Sequence, residues 1–336
     1  MNGLYLKQKA FFDKIAIEYG DKSYIDKIKD YCIGINKNVS DVIGTLDWDH
    51  SKEPKANSKL HQKIETTDAA IDIMKYAMNL CIEYDVSVEE LMQRFDMKNR
   101  TVEQKLRQRQ FLRSDKFKES KYAFIIDIDG VIADIYTSYK WFFCKKLNWH
   151  QTYFTWEVFE DWKTKNIDLY KELKEEYRLC GCKMIMPAMD NARDLLRHCH
   201  SKGIVSLLTN RPVKSYPILY MYTVEWLYTR GMIQWVDMIH FTELGEKKYF
   251  FDRFNGKEVY FFEDNVYNLI NVAERPNVCN IFIRNATNRR VVIESSKEIS
   301  GAVQVDNLNG AIAFIKECTD DKDNYNLPDA IQCTAD

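Results

Sequence analysis

Between Lys121 and Ile135 the sequence reads KYAFIIDIDGVIADI, and this stretch restricts the fold more than any other. Four apolar residues, Ala123 to Ile126, run straight into Asp127, and a second acid, Asp129, follows two positions later. A short apolar run closed by charge is the pattern of a strand buried on both faces whose carboxyl end carries a reactive group. Gly130 lets the chain turn sharply off the strand, and Asp134 stands one turn further on. One Asp in this place would read as the cap of the next helix. Two, in the spacing D-x-D-G-x-x-x-D, point to chemistry.

The chain beyond repeats the same grammar. A helical pattern over Asn191–Ser201 leads through Gly203 to an apolar strand, Ile204–Leu208, which ends in Thr209-Asn210-Arg211-Pro212. A helix near 217–230 and a short strand over Met238–Phe241 precede GEKKYFFDRF, where Lys247 and Lys248 open a helix. The strand Glu258–Phe262 ends in Glu263-Asp264-Asn265, and Cys279–Arg284 supplies a further strand. Strands alternating with helices predict a parallel α/β sheet, Rossmann-like in class, whose strand ends share one edge. That edge would gather Asp127, Asp129, Thr209, Glu263 and Asp264, with Lys247 or Lys248 as the cation. Residues 135–186, inserted after the first strand, are helical and rich in aromatics such as Tyr139, Phe143, Trp156 and Trp162, which predicts a helical cap. Most of its rings should pack within the cap itself, with one or two left to stack on a ligand.

With 336 residues the chain has room for two domains. Residues 1–112 read as an all-α bundle: glycine is sparse, and Ile71, Met74, Ala77, Met78 and Cys81 mark an apolar stripe on a helix over Ile64–Tyr84. Glu65, Asp68 and Asp72 project from one side of that helix, and the helix before it, from Tyr24 to Leu46, offers Asn38 and Asp41. Asp41, Asp68 and Asp72 are therefore a candidate second metal site. A basic run, Lys98 to Arg109, follows, and the polar stretch 113–121 is the expected linker. The α/β domain is placed at 122–317, and residues 318–336 as a loose acidic tail.

Hydrophobic residues at 46% and charged residues at 29% exclude a chain disordered throughout. A net charge of −2 supplies no basic field for nucleic acid or anionic membrane. Nine cysteines without metal-type spacing are expected to be free thiols, and His150, His198, His200 and His240 lack partners at ligand spacing. The first residues lack the apolar core of a signal peptide, and no apolar run is long enough for a membrane span, so a soluble cytoplasmic protein is expected.

Together DIDGVIAD, LLTNRP, the lysine pair and YFFEDN resemble the four motifs of the haloacid dehalogenase superfamily. The resemblance implies a magnesium-dependent phosphatase. Asp127 would be the nucleophile, Asp129 the acid and base, Thr209 a donor to the phosphoryl oxygen, Lys247 or Lys248 the fixed positive charge, and Asp127, Asp129, Glu263 and Asp264 the metal set. Asn210 and Arg211 stand where substrate contacts are expected. The form of the first motif and the cap behind it are similar to the 5′(3′)-deoxyribonucleotidases, which implies a nucleoside monophosphate substrate. In the N-terminal region DVIGTLDWDHSK and TTDAAIDIMKYAMNL resemble the all-α nucleotide pyrophosphohydrolases of the MazG and dimeric dUTPase group. There Asn38 and Asp41 fall at an E-x-x-E motif, Ala69 and Asp72 at an E-x-x-D motif, and Lys98 with Asn99 at a substrate-contacting segment. That resemblance also implies a homodimer through the N-terminal helices. Two other functions fit the same motifs: a polynucleotide 3′-phosphatase, which needs a basic groove beside the site, and a nucleotide-binding or assembly protein with a non-catalytic N-terminal domain.

Overall fold

The computed structural model describes residues 3, 5–10, 24–45, 56–242, 246–288 and 302–320, and in its first two long helices the side chains of residues 26–40 and 66–83. The chain divides into two compact units, Met1–Asp96 and Met97–Asp336.

In the first unit the helices Tyr24–Thr45 and Ala56–Glu83 pack along one another. Gly34 faces the Tyr76 ring so closely that a side chain there would collide with it. Tyr5 OH donates to the Val86 carbonyl at 2.7 Å, fastening the N-terminal helical residues to the end of the hairpin. Asp68 is exposed, and Asp72 pairs with Lys75 at 2.9 Å on the same helix. Asn38 donates to its own helix, at the Gly34 carbonyl. The side chains of Asp41 and Glu65 lie outside the described residues, and so, with Asp41, does the candidate second metal site of Asp41, Asp68 and Asp72.

The second unit is built on six parallel strands: β1 (Tyr122–Ile126), β2 (Ile204–Thr209), β3 (Met238–Phe241), β4 (Glu258–Glu263), β5 (Val278–Ile283) and β6 (Val303–Val305), in the order β3-β2-β1-β4-β5-β6. It is the expected doubly wound α/β sheet, with β6 as an edge strand the sequence had not revealed. Every residue of β1 is buried. Alternation along the strand divides its side chains between two cores. Phe124 and Ile126 join Leu195, Cys199 and Ala311 on one face, while Ala123 and Ile125 join Phe250, Phe254 and Leu269 on the other. Helices cover both faces, which is why these strands read as continuous apolar runs.

From Met97 onward the helix Val88–Phe111 belongs to this unit. Met97 packs with Leu219 and Tyr222, Arg100 pairs with Glu225 at 2.7 Å, and the Gln108 side-chain oxygen accepts from the Ile239 N–H at 3.2 Å. The segment 113–121, read as a linker from its polarity, holds a helix, Asp115–Glu119, capped by Ser114. Phe117 packs edge-on against Phe111 and Phe254, and Lys116 reaches Asp237 at 3.1 Å. One aromatic in a polar stretch suffices to dock it. After residue 317 the chain stays helical to Asp320, and the rest of the expected tail lies outside the described residues.

Between β1 and the helix Ala192–Lys202 stand the helices Ile135–Leu147, Trp156–Lys165, Ile167–Leu179 and Cys182–Ile185, which form the expected cap. Its rings make a separate core around Phe143, Phe159 and Tyr177. Asp134, the last acid of the opening motif, accepts from the Thr137 N–H at 2.9 Å and so caps the first of these helices.

Candidate active site

Register decides what meets at the strand ends. Ile126 of β1 lies beside Leu207 of β2 and Phe262 of β4, so Asp127, Thr209 and Glu263 emerge on the same edge. β1 is also where the strand order reverses, the crevice in which open α/β sheets bind ligands.

Lys247 Nζ donates to Asp127 Oδ1 at 2.8 Å and to Glu263 Oε2 at 2.7 Å, and all three side chains are buried. The sequence offered Lys247 and Lys248 equally. The helix Lys247–Phe250 turns Lys247 inward, while Lys248 is exposed and its carbonyl accepts from Arg275. Burial works to lower the Lys247 pKa, but the charges of Asp127 and Glu263 overcome it and raise it. Asp127 is pushed up to about 7, chiefly by burial, with Lys247 opposing and Glu263 adding to the rise.

Asp127, Glu263 and Asp264 each present an oxygen within 4.8 Å of the others, and among the described residues they are the one such acidic group. Burial, and then the charges of Glu263 and Asp127, raise the Asp264 pKa well above the carboxylate range. Three carboxylates packed this closely against one lysine fit a hard divalent cation with oxygen ligands. Glu263 Oε1 accepts from the Asn265 N–H at 3.1 Å, and Asn285 holds Asp264 Oδ2 at 2.9 Å while donating to the Gly130 carbonyl at 2.7 Å. Asn288 donates to the Asp264 and Ile283 carbonyls, both at 2.9 Å. Neither asparagine was foreseen, since both follow the end of β5 in a stretch with no acid or glycine to draw notice.

Asp129 points the other way. Arg211 grips it with Nη2 at 2.7 Å and Nε at 3.1 Å, and Lys183 from the cap reaches it at 2.7 Å. Burial works to raise the Asp129 pKa, but the Arg211 and Lys183 charges outweigh it and hold the carboxyl well below its usual range. Lys183 itself is lowered to about 8 by burial, with Asp129 opposing the shift. Arg211, expected to touch substrate, links Asp129 to Thr223 Oγ1, to which it donates at 2.8 Å. Lys183 was not anticipated at all, because nothing in CGCKMIMP signals a functional residue. Thr209 is buried at the end of β2, and Asn210 Oδ1 accepts from Thr242 at 2.7 Å. Lys98 and Asn99 are exposed on the helix Val88–Phe111.

The sheet, the cap and the acidic cluster define a phosphatase of the haloacid dehalogenase type. The family model described as 5′ nucleotidase, deoxy (pyrimidine), cytosolic type C protein matches residues 121–304, more than half of the chain, and the chain belongs to that family. It is therefore a nucleotidase-like phosphomonoesterase. No curated protein matches it significantly along the sequence. Among solved structures it is similar to a haloacid dehalogenase-like hydrolase from Burkholderia xenovorans LB400, at 16% identity over 59% of this chain and 98% of that one, with a TM-score of 0.42. It is also similar to the haloacid dehalogenase-like family protein SP0104 from Streptococcus pneumoniae, at 10% identity over 57% and 97%, with a TM-score of 0.38. A superfamily hydrolase of subfamily IA, variant 1, from Geobacter sulfurreducens PCA matches at 15% identity over 58% and 96%, with a TM-score of 0.38. Among the described residues no helix is long and apolar enough to cross a membrane.

Proposed function

We propose that the chain releases phosphate from deoxynucleoside monophosphates in a magnesium-dependent reaction through an aspartyl-phosphate on Asp127. The observation that carries this reading is the buried contact of Lys247 with both Asp127 and Glu263 beside Asp264. Magnesium held by Asp127, Asp264 and Glu263 would neutralise phosphate oxygens that otherwise repel an attacking carboxylate.

The protein's own groups do the rest. Lys247 occupies Oδ1 of Asp127 and leaves Oδ2 to attack phosphorus. As that bond forms, the bond from phosphorus to the sugar oxygen breaks, and the oxygen takes a proton from Asp129. Water, losing its proton to Asp129, then attacks the aspartyl-phosphate and frees inorganic phosphate. Lys247 stays charged throughout, and Thr209 donates to a phosphoryl oxygen. Asp129 as it stands is a carboxylate, suited to the second step. Serving as the acid in the first requires its ion pairs with Arg211 and Lys183 to loosen.

For the N-terminal helices the reading is nucleotide binding or triphosphate pyrophosphohydrolysis, supported by the motif resemblance around Asp41 and Asp72. The test offers full-length protein a panel of deoxynucleoside mono- and triphosphates and a 3′-phosphorylated oligonucleotide, with magnesium and with chelator. Phosphate from monophosphates, abolished by chelator, is expected, and phosphate from the oligonucleotide alone would overturn the reading. Pyrophosphate from a triphosphate, lost in Asp72→Ala, would assign activity to the first unit.

A further inference from the structure

Beside Asp129 a cavity of about 170 Å³, lined by neither Asp127 nor Lys247, opens between the cap and the residues that follow β2. Four cations line it, Lys174, Arg178, Lys183 and Arg211, against a single carboxylate, Asp129. Lys183 and Arg211 are more than nine-tenths buried and share that one acid. Lys174 and Arg178 have no carboxylate within 4 Å among the described residues. They lie over aromatic faces instead, Lys174 at 5.2 Å from the Tyr170 ring centre and Arg178 at 5.1 Å from that of Tyr216. A ring face restrains a cation without neutralising it. Gathering like charges in a partly dry cavity is unfavourable unless an anion completes it.

The position of the cavity says where that anion sits. In the reading above, Asp129 hands its proton to the departing oxygen, so the group beyond that oxygen, the nucleoside, extends past Asp129 into this cavity. A neutral nucleoside gives four cations nothing to bind. A nucleoside carrying a phosphate on its other hydroxyl does, through charge-assisted hydrogen bonds from guanidinium and ammonium.

Resting on that reading, we propose that the preferred substrate is a deoxynucleoside 3′,5′-bisphosphate, whose remote phosphate is seated among Lys174, Arg178, Lys183 and Arg211. One phosphate is hydrolysed at Asp127 and the other leaves with the nucleoside. The strand end of a polynucleotide would present a phosphodiester in the same place, and the oligonucleotide arm of the experiment separates the two.

The experiment compares phosphate release by the full chain from a deoxynucleoside 3′,5′-bisphosphate, the corresponding monophosphates and a 3′-phosphorylated oligonucleotide, in wild type and in Lys174→Ala/Arg178→Ala. The expected kcat/KM for the bisphosphate exceeds that for the monophosphate by about 10-fold or more, and the ratio collapses towards one in the double variant. Because the readout is a ratio within one protein, partial misfolding of the variant cancels. A wild-type ratio near one, or a ratio unchanged by the double substitution, overturns the inference while leaving the phosphatase reading intact. Turnover of the oligonucleotide alone overturns both in favour of a strand-end enzyme. If no substrate turns over, calorimetry on Asp127→Asn decides: tighter binding of bisphosphate than monophosphate supports the cavity assignment although the proposed reaction fails, and equal binding removes it.

Discussion

Gly130 and Asp264 are packed so closely that a Cβ on the glycine would overlap the Asp264 carboxylate, and Gly130 has a φ of 92° that side chains rarely adopt. The turn leaving β1 and the acid leaving β4 are thus built against each other. Gly130→Ala is expected to lower stability by about 1–3 kcal/mol and to displace Asp264 from its group. Denaturant unfolding and metal titration together check it, and a variant of unchanged stability and metal affinity would show that the turn has slack.

Lys247 and Lys248 separate cleanly. Lys247→Ala leaves Asp127 and Glu263 facing each other without their shared cation in a buried site, at a cost of about 3–5 kcal/mol. The kcat is expected to fall by about 100-fold or more. Lys248→Ala, at an exposed side chain, should stay within about 0.5 kcal/mol of wild type and keep its activity. Equal losses in the two variants would reverse the assignment.

Much of this site was legible beforehand. An acid at the end of a buried strand is conspicuous, so Asp127, Glu263 and Asp264 could be placed from Ala123–Ile126 and Glu258–Phe262 alone. What sequence could not decide was orientation: adjacent lysines look alike until a helix turns one inward. Lys183, Asn285 and Asn288 were invisible for another reason. They act through distant partners, Lys183 on Asp129 and the asparagines on Asp264, Gly130 and Ile283, and no local pattern records such pairings. Arg211 stood in a recognised motif, but its grip on Asp129 shows only in the folded chain. At three residues β6 is too short for any periodicity.

In the proposed site metal and proton would compete for Asp127. Burial pushes its pKa up to about 7, with Lys247 opposing the rise and Glu263 reinforcing it. A cation requires the ionised form, so magnesium affinity should weaken by at least about tenfold per pH unit below that value, with the raised Asp264 carboxyl steepening the dependence. Calorimetric titrations across the range, with proton uptake or release measured in two buffers, check this. Affinity independent of pH would remove Asp127 from the ligand set.

His240 offers a pH test of stability away from the chemistry. Burial, helped by Arg253, lowers its pKa from 6.5 to about 4, and its ring stacks on Phe250 at 4.5 Å. Because the folded value lies below the unfolded one, the neutral ring stabilises the fold fully above pH 6.5, and the contribution is lost as pH falls towards 4. Allowing for partial exposure, the loss should be about 1–2 kcal/mol. Denaturant unfolding at both pH values should show that decline in wild type and a flatter profile in His240→Gln. Identical profiles would mean that the histidine titrates normally.

The central claim is that Asp127 is the nucleophile. Its most direct test is the rate of phosphate release from a deoxynucleoside monophosphate with magnesium present, wild type against Asp127→Asn, a nearly isosteric change. Release is expected to fall by about 1000-fold or more in the variant. A variant that keeps a substantial fraction of wild-type turnover would contradict the claim.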